Sequence, residues 1–143
     1  MPILLEGVER KEPCSMLIAD YYTINGHTEE DGQTIFSISL NPACKVYEGH
    51  FPGQPVSPGV CNIQMIKECV EQMLDKPLSM TEISLCRLNK LMTPSTHPKP
   101  EVGIRLMQKD GEAIKIHATI SHDGNTCLEM KATFSPTLNA VLP

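Results

Sequence analysis

The chain has 143 residues and a formal charge of −5, with 41% hydrophobic and 20% charged side chains, 4% aromatics and no tryptophan. This is the make-up of one globular domain, expected over residues 1–143 and long enough to bury a core without disulfide staples. The acidic balance leaves no basic stripe for a phosphate backbone and few rings for base stacking, which argues against nucleic acid, and no run approaches the roughly 18 apolar residues of a membrane span.

The opening MPILLEGVERKEP has too short an apolar run for a signal peptide and no cleavage-site pattern. Next, LIADYYTI reads as a weak strand. TIFSISL reads as a firmer one, with Phe36, Ile38 and Leu40 on one face. After an unusual loop comes SPGVCNIQMIKECVEQMLDK, which has helical periodicity. Ser57 is a good N-cap, Pro58 suits the first helical position, and Pro77 lies just past the end. Gln64, Lys67, Glu68, Glu71 and Asp75 gather on one side of this helix. Cys61, Ile63, Met65, Ile66, Cys69, Val70, Met73 and Leu74 cover most of the rest, so the helix is expected to be largely wrapped by other structure.

Four more strands follow. MTEISLCRLNKLM ends at Thr93-Pro94 and the Pro-rich STHPKP. EVGIRLMQ turns Val102, Ile104 and Leu106 to one face. In EAIKIHATIS, Ile114, Ile116, Ala118 and Ile120 alternate with polar residues; in TCLEMKATF, Leu128, Met130, Ala132 and Phe134 do the same. Asp110-Gly111 and Asp123-Gly124-Asn125 are tight-turn signals, so the last strands form an antiparallel meander. Strands, one apolar helix and more strands make an α+β fold whose sheet curls around a single helix. Open strand edges in such a sheet favour a homodimer that joins two sheets.

Polar residues elsewhere draw plainer expectations. Asn62 falls in the apolar arc of the helix and needs a partner. Glu68, Glu71 and Asp75 read as solvated, Glu68 the least firmly of the three, His117 as lying on a solvated sheet face, and His97 and His122 as surface residues. The cysteines Cys14, Cys44, Cys61, Cys69, Cys86 and Cys127 are scattered, with no C-x-x-C pair and no histidine at ligand spacing. Buried free thiols in a reducing cytoplasm and no metal site are the expectation; Cys61 is a thiol of this kind.

The loop YEGHFPGQPVSPG carries the chemistry. Gly49, Gly53 and Gly59 alternate with Pro52, Pro55 and Pro58, fixing some backbone angles and permitting close backbone approach at others. His50 sits among them beside Phe51, immediately before the helix. A neutral imidazole can take a proton from the carbon next to a carbonyl. Backbone N–H groups at Gly59 and Val60 can polarise a thioester oxygen as negative charge develops there.

GHFPGQPVSPGV resembles the GHFPxxPxxPGV signature of the β-hydroxyacyl-acyl-carrier-protein dehydratases, and ISLCRLNKLMTP resembles that family's strand after the helix. The resemblance implies a hot-dog fold, His50 as the catalytic base and Gly59 as the amide that binds the thioester oxygen, with Phe51, Pro58 and Val60 beside the substrate. It also implies a site shared across a dimer and completed by a helix carboxylate from the other subunit. The sequence departs there: Gln64 stands where the family has Glu or Asp, and an amide cannot donate a proton near neutral pH. Glu68, one turn further along, could reach the substrate.

The expected activity is loss of water from a (3R)-3-hydroxyacyl thioester carried on acyl carrier protein or coenzyme A, giving the trans-2-enoyl product without a metal or organic cofactor. Gln64 would orient the hydroxyl or a water. An acidic chain needs a local cation patch to meet an acidic carrier, and Arg10, Lys11, Lys45, Arg87, Lys90 and Lys99 are available. Two alternatives keep the same fold: a thioesterase, in which Gln64 or Glu68 positions a water, and a non-catalytic acyl-binding partner subunit.

Overall fold

The computed structural model describes residues 21–44 and 59–137. They form six strands and one helix: β1 (Tyr22–Glu30), β2 (Gln33–Leu40), α1 (Gly59–Leu74), β3 (Leu78–Leu88), β4 (Glu101–Asp110), β5 (Ala113–His122) and β6 (Asn125–Pro136). The strands make a single sheet in the order β1-β2-β4-β5-β6-β3, every neighbouring pair antiparallel. The expected meander is present as β4-β5-β6. The chain leaves β2, passes through α1 and enters the sheet at its far edge as β3. It then returns along residues 89–100 to place β4 beside β2.

Turn chemistry sets the hairpins. Asp123 and Gly124 both have positive φ, at 52° and 80°, and so do Asp31 and Gly32, at 51° and 76°. Two successive left-handed residues are what a two-residue hairpin needs to match the strand twist, and Asp-Gly adopts them cheaply. Asp31-Gly32 closes β1 onto β2, and with that turn the first strand extends to Glu30, well beyond its apolar stretch.

Alternation along the strands puts one apolar face against the helix. Phe36, Ile38, Val102, Ile104, Ile114, Ile116, Ile120, Met130 and Phe134 are buried there. So are Cys61, Met65, Ile66, Cys69 and Val70 of α1. Each such aliphatic side chain contributes roughly 1.5–3 kcal/mol by leaving water, so the helix is held by its packing. Its C-terminus is closed by Asp75 at φ 57°, and the Lys76 N–H bonds the Glu71 carbonyl at 3.2 Å. That left-handed residue and long-range bond satisfy a carbonyl the helix leaves open.

Two expectations change. Leu106 is 45% exposed, because it borders a cleft of about 450 Å³ between Met73 and Leu74 at the helix end and the β1–β2 turn, and the sheet has outrun the helix that should cover it. The Pro-rich loop is ordered against β2, where the Pro98 and Pro100 carbonyls accept from the N–H groups of Leu40 and Ile38. A proline has a carbonyl to offer although it has no N–H, so this loop lengthens the β2–β4 ladder.

Candidate active site

Helix α1 organises the site. Gly59 and Val60 open it, and Val60 is 74% exposed. The first amides of a helix have no partner within it and carry its partial positive charge. Among the described residues, a Cβ placed on Gly59 would meet nothing within 4 Å, so they leave its backbone open to approach. Val60, Gln64 and Glu68 follow at four-residue steps and therefore share one helix face.

Glu68 is not a solvated residue. The Tyr22 hydroxyl donates to its Oε1 at 2.7 Å, and the Gln64 Nε2 donates to its Oε2 at 3.4 Å. Burial pushes its carboxyl above the ordinary range, against the opposing pull of these two hydrogen bonds. The Tyr22 phenol is pushed far up by its own burial and then by the Glu68 charge, so it remains a donor. Nearly two turns earlier, the Tyr21 hydroxyl donates to Asn62 Oδ1 at 2.6 Å with both residues buried, which supplies the partner Asn62 requires.

Other expectations divide. Cys61 is buried as expected, and burial pushes the neighbouring buried thiol of Cys69 up to about 12, so it is held as the thiol. Glu71 is a structural residue, not a solvated one. It accepts from Lys67 Nζ at 3.2 Å and from the Leu78 N–H at 2.8 Å, tying the end of α1 to the start of β3. His97 is buried, not superficial. Its ring lies 5.0 Å from that of His122, edge to face, and its Nδ1 is 2.7 Å from the Thr96 hydroxyl. Loop 93–100 folds back over the β5–β6 turn and encloses it. His117 is half-buried, with Nε2 2.8 Å from Glu129 Oε2 on the next strand.

The expected residues His50, Phe51 and Pro58, and the N-cap Ser57, lie outside the described residues. Of the remaining site candidates, the structure brings Gln64 and Glu68 together and leaves Gly59 and Val60 open at the head of the same helix. Sequence reasoning missed Tyr21 and Tyr22. Their only signal was a polar pair in a weak strand, and asking which groups could satisfy Asn62 and Glu68 across the core would have raised them.

The chain matches the ApeI-like family of dehydratases over residues 26–131. It belongs to that family. That span runs from within β1 through the loop and α1 into β6. A 3-hydroxyacyl-[acyl-carrier-protein] dehydratase, FabZ, of Bacillus pumilus is 30% identical over 96 residues, which are 62% of this chain and 65% of that protein, somewhat under two thirds of the relative's length. Among solved structures, the dehydratase heterocomplex ApeI:P from Xenorhabdus doucetiae matches with a TM-score of 0.61 at 18% identity, covering 79% of this chain and 96% of that one. The uncharacterized protein PH1136 from Pyrococcus horikoshii matches with a TM-score of 0.64 at 10% identity, covering 97% and 100%. At such identities the structural likeness speaks to fold. The fold is the hot-dog arrangement of one helix against an antiparallel sheet. No described helix is long and apolar enough to cross a membrane.

Proposed function

We propose that this protein removes water from a (3R)-3-hydroxyacyl thioester to give the trans-2-enoyl thioester. The observation that carries the reading is its membership of a dehydratase family over a span that includes both the His50 loop and helix α1. His50 is the base that takes the proton from the carbon beside the thioester carbonyl. The amides at Gly59 and Val60 stabilise the charge that develops on the carbonyl oxygen, a role that the openness of the helix start supports. Gln64 orients the 3-hydroxyl, and Phe51 and Pro58 line the acyl group. The B. pumilus relative is named for acyl-carrier-protein substrates, which favours that carrier over coenzyme A.

Two copies of the chain share the site in this reading, joined through the free edge of β3. Among the described residues that strand pairs only with β6, and it exposes Ile83 and Leu88. The relative that is a heterocomplex supports a second arrangement, in which a different hot-dog chain takes the place of one copy. A reducing cytoplasm accords with Cys44, Cys61, Cys69, Cys86 and Cys127 standing outside any disulfide.

The test follows 3-hydroxyacyl-carrier-protein by mass spectrometry. Wild type is expected to lose 18 Da of water (roughly, the mass of the leaving group) from the acyl chain, and His50→Ala to fall by about 10²-fold or more, the usual contribution of a general base. Equal turnover by the two removes His50 from the mechanism. Release of free thiol without an enoyl product makes the protein a thioesterase instead, and turnover only after a second hot-dog chain is added identifies the mixed arrangement.

A further inference from the structure

Position 64 holds an amide that cannot protonate the departing oxygen, yet dehydration of a 3-hydroxyacyl group needs an acid there. Helix α1 supplies a carboxyl one turn on, in a position that solvation does not explain. We propose, building on the dehydratase reading above, that Glu68 is the acid that protonates the leaving 3-hydroxyl, with Tyr22 and Gln64 positioning its carboxyl.

The geometry supports this at three points. First, Val60, Gln64 and Glu68 lie on one face of α1, the face that begins at the open helix start. Along the axis Glu68 is about 12 Å from Val60 and about 6 Å from Gln64. Helical side chains lean toward the N-terminus, which carries the carboxyl back along that face, and the 3.4 Å contact with Gln64 Nε2 shows that it reaches. Second, both carboxyl oxygens are held by neutral groups, the Tyr22 phenol and the Gln64 amide, and neither neutralises the carboxylate as a salt bridge would. Third, Lys67, the next residue back along the helix, is engaged elsewhere: its Nζ bonds Glu71.

Those surroundings raise the pKa of the Glu68 carboxyl above its ordinary value. The titratable and charged groups facing Glu68 are Tyr22 from β1 and Lys67, Cys69 and Glu71 from α1. Burial raises its pKa most, Glu71 raises it further, and the Tyr22 and Gln64 hydrogen bonds and Lys67 lower it. A carboxyl so placed can still hold its proton above the pH at which an exposed glutamate has lost it.

The step balances. His50 takes the proton from C2, and the C–H pair becomes the second C2–C3 bond. The C3–O bond breaks with its pair on oxygen, and the Glu68 proton goes to that oxygen, so water leaves. Glu68 is then a carboxylate and His50 an imidazolium, and the proton passes back between them through solvent.

The experiment measures the pH profile of enoyl formation from 3-hydroxyacyl-carrier-protein for wild type, His50→Ala, Glu68→Gln, Tyr22→Phe and the double variant Gln64→Glu with Glu68→Gln, each checked for an unchanged thermal transition. The required acid makes the rate fall as pH rises through the Glu68 pKa. Glu68→Gln is expected to lose roughly 10²–10⁴-fold and this alkaline limb with it. Tyr22→Phe removes a hydrogen bond that favours the carboxylate, so the limb moves to higher pH, a change that loss of packing would not produce. The double variant restores much of the lost rate by returning a carboxyl to the helix face. Wild type that makes enoyl product and loses it with His50→Ala but not with Glu68→Gln overturns the acid alone. Wild type that makes none overturns the dehydratase reading and the acid together.

Discussion

A buried asparagine on the apolar side of a helix is a liability until its partner is known. Asn62 is 2% exposed, and its Oδ1 accepts from the hydroxyl of Tyr21, a residue 41 positions earlier in the chain. Tyr21→Phe keeps the ring and its packing but strips that donor from a buried carbonyl oxygen. Desolvating an acceptor without returning a hydrogen bond costs about 1–3 kcal/mol. The variant should therefore show a lower denaturant midpoint at an unchanged m-value; a midpoint like that of wild type would mean that water takes the place of the hydroxyl. The residues that sequence reading placed in solvent, Glu68, Glu71 and His97, fail the expectation for the same reason. Each is polar, and each has a partner or a covering loop that is distant in sequence or set by a turn.

Glycines separate the elements that need a particular backbone from those that need an approach. Gly124 has φ 80° in the β5–β6 turn, where any side chain is strained whatever space surrounds it. Gly124→Ala should destabilise the protein by roughly 1 kcal/mol or more and leave dehydration per folded molecule unchanged. Gly59 is the reverse case. It begins α1, no atom of the described residues lies within 4 Å of an added Cβ, and alanine is the better helix former. Gly59→Ala should therefore keep the thermal transition while raising KM or lowering kcat, because in the proposed function the methyl group enters the space that the thioester crosses. Activity retained in Gly59→Ala would place substrate elsewhere. The two variants, measured side by side by calorimetry and by product formation, tell a turn glycine from a ligand glycine.

At the scale of the whole molecule the decisive feature is the outer edge of β3, which no strand among the described residues pairs. The strand is irregular in its pairing with β6, shifting register between Met80 and Glu82 and again between Ile83 and Leu85, and its Ile83 is 44% exposed. Covering that edge with a second copy would pair its free backbone groups and remove the apolar side chain from water. Ile83→Lys places a charge at the seam, and lysine on an edge strand is a usual device against pairing. Light scattering after gel filtration should find a dimer for wild type and a monomer for the variant, with dehydration falling alongside if the site is shared. A variant that stays dimeric with full activity moves the seam away from β3.

Period-two alternation from Ile114 to Phe134, the Asp-Gly turns and the helical run from Gly59 to Leu74 were legible because each depends on residues within a few positions of one another. The His50 loop and the Gln64 departure are read from the motif alone, since the loop lies outside the described residues. What the one-dimensional chain could not state is which strand faces which helical turn. Tyr22 meets Glu68 only because β1 closes the sheet beside the helix, and Leu106 stays open only because the sheet extends past the helix end. A local pattern fixes whether a side chain faces the core, whereas its partner, and with it the charge it can hold, depends on contacts between elements far apart in the chain.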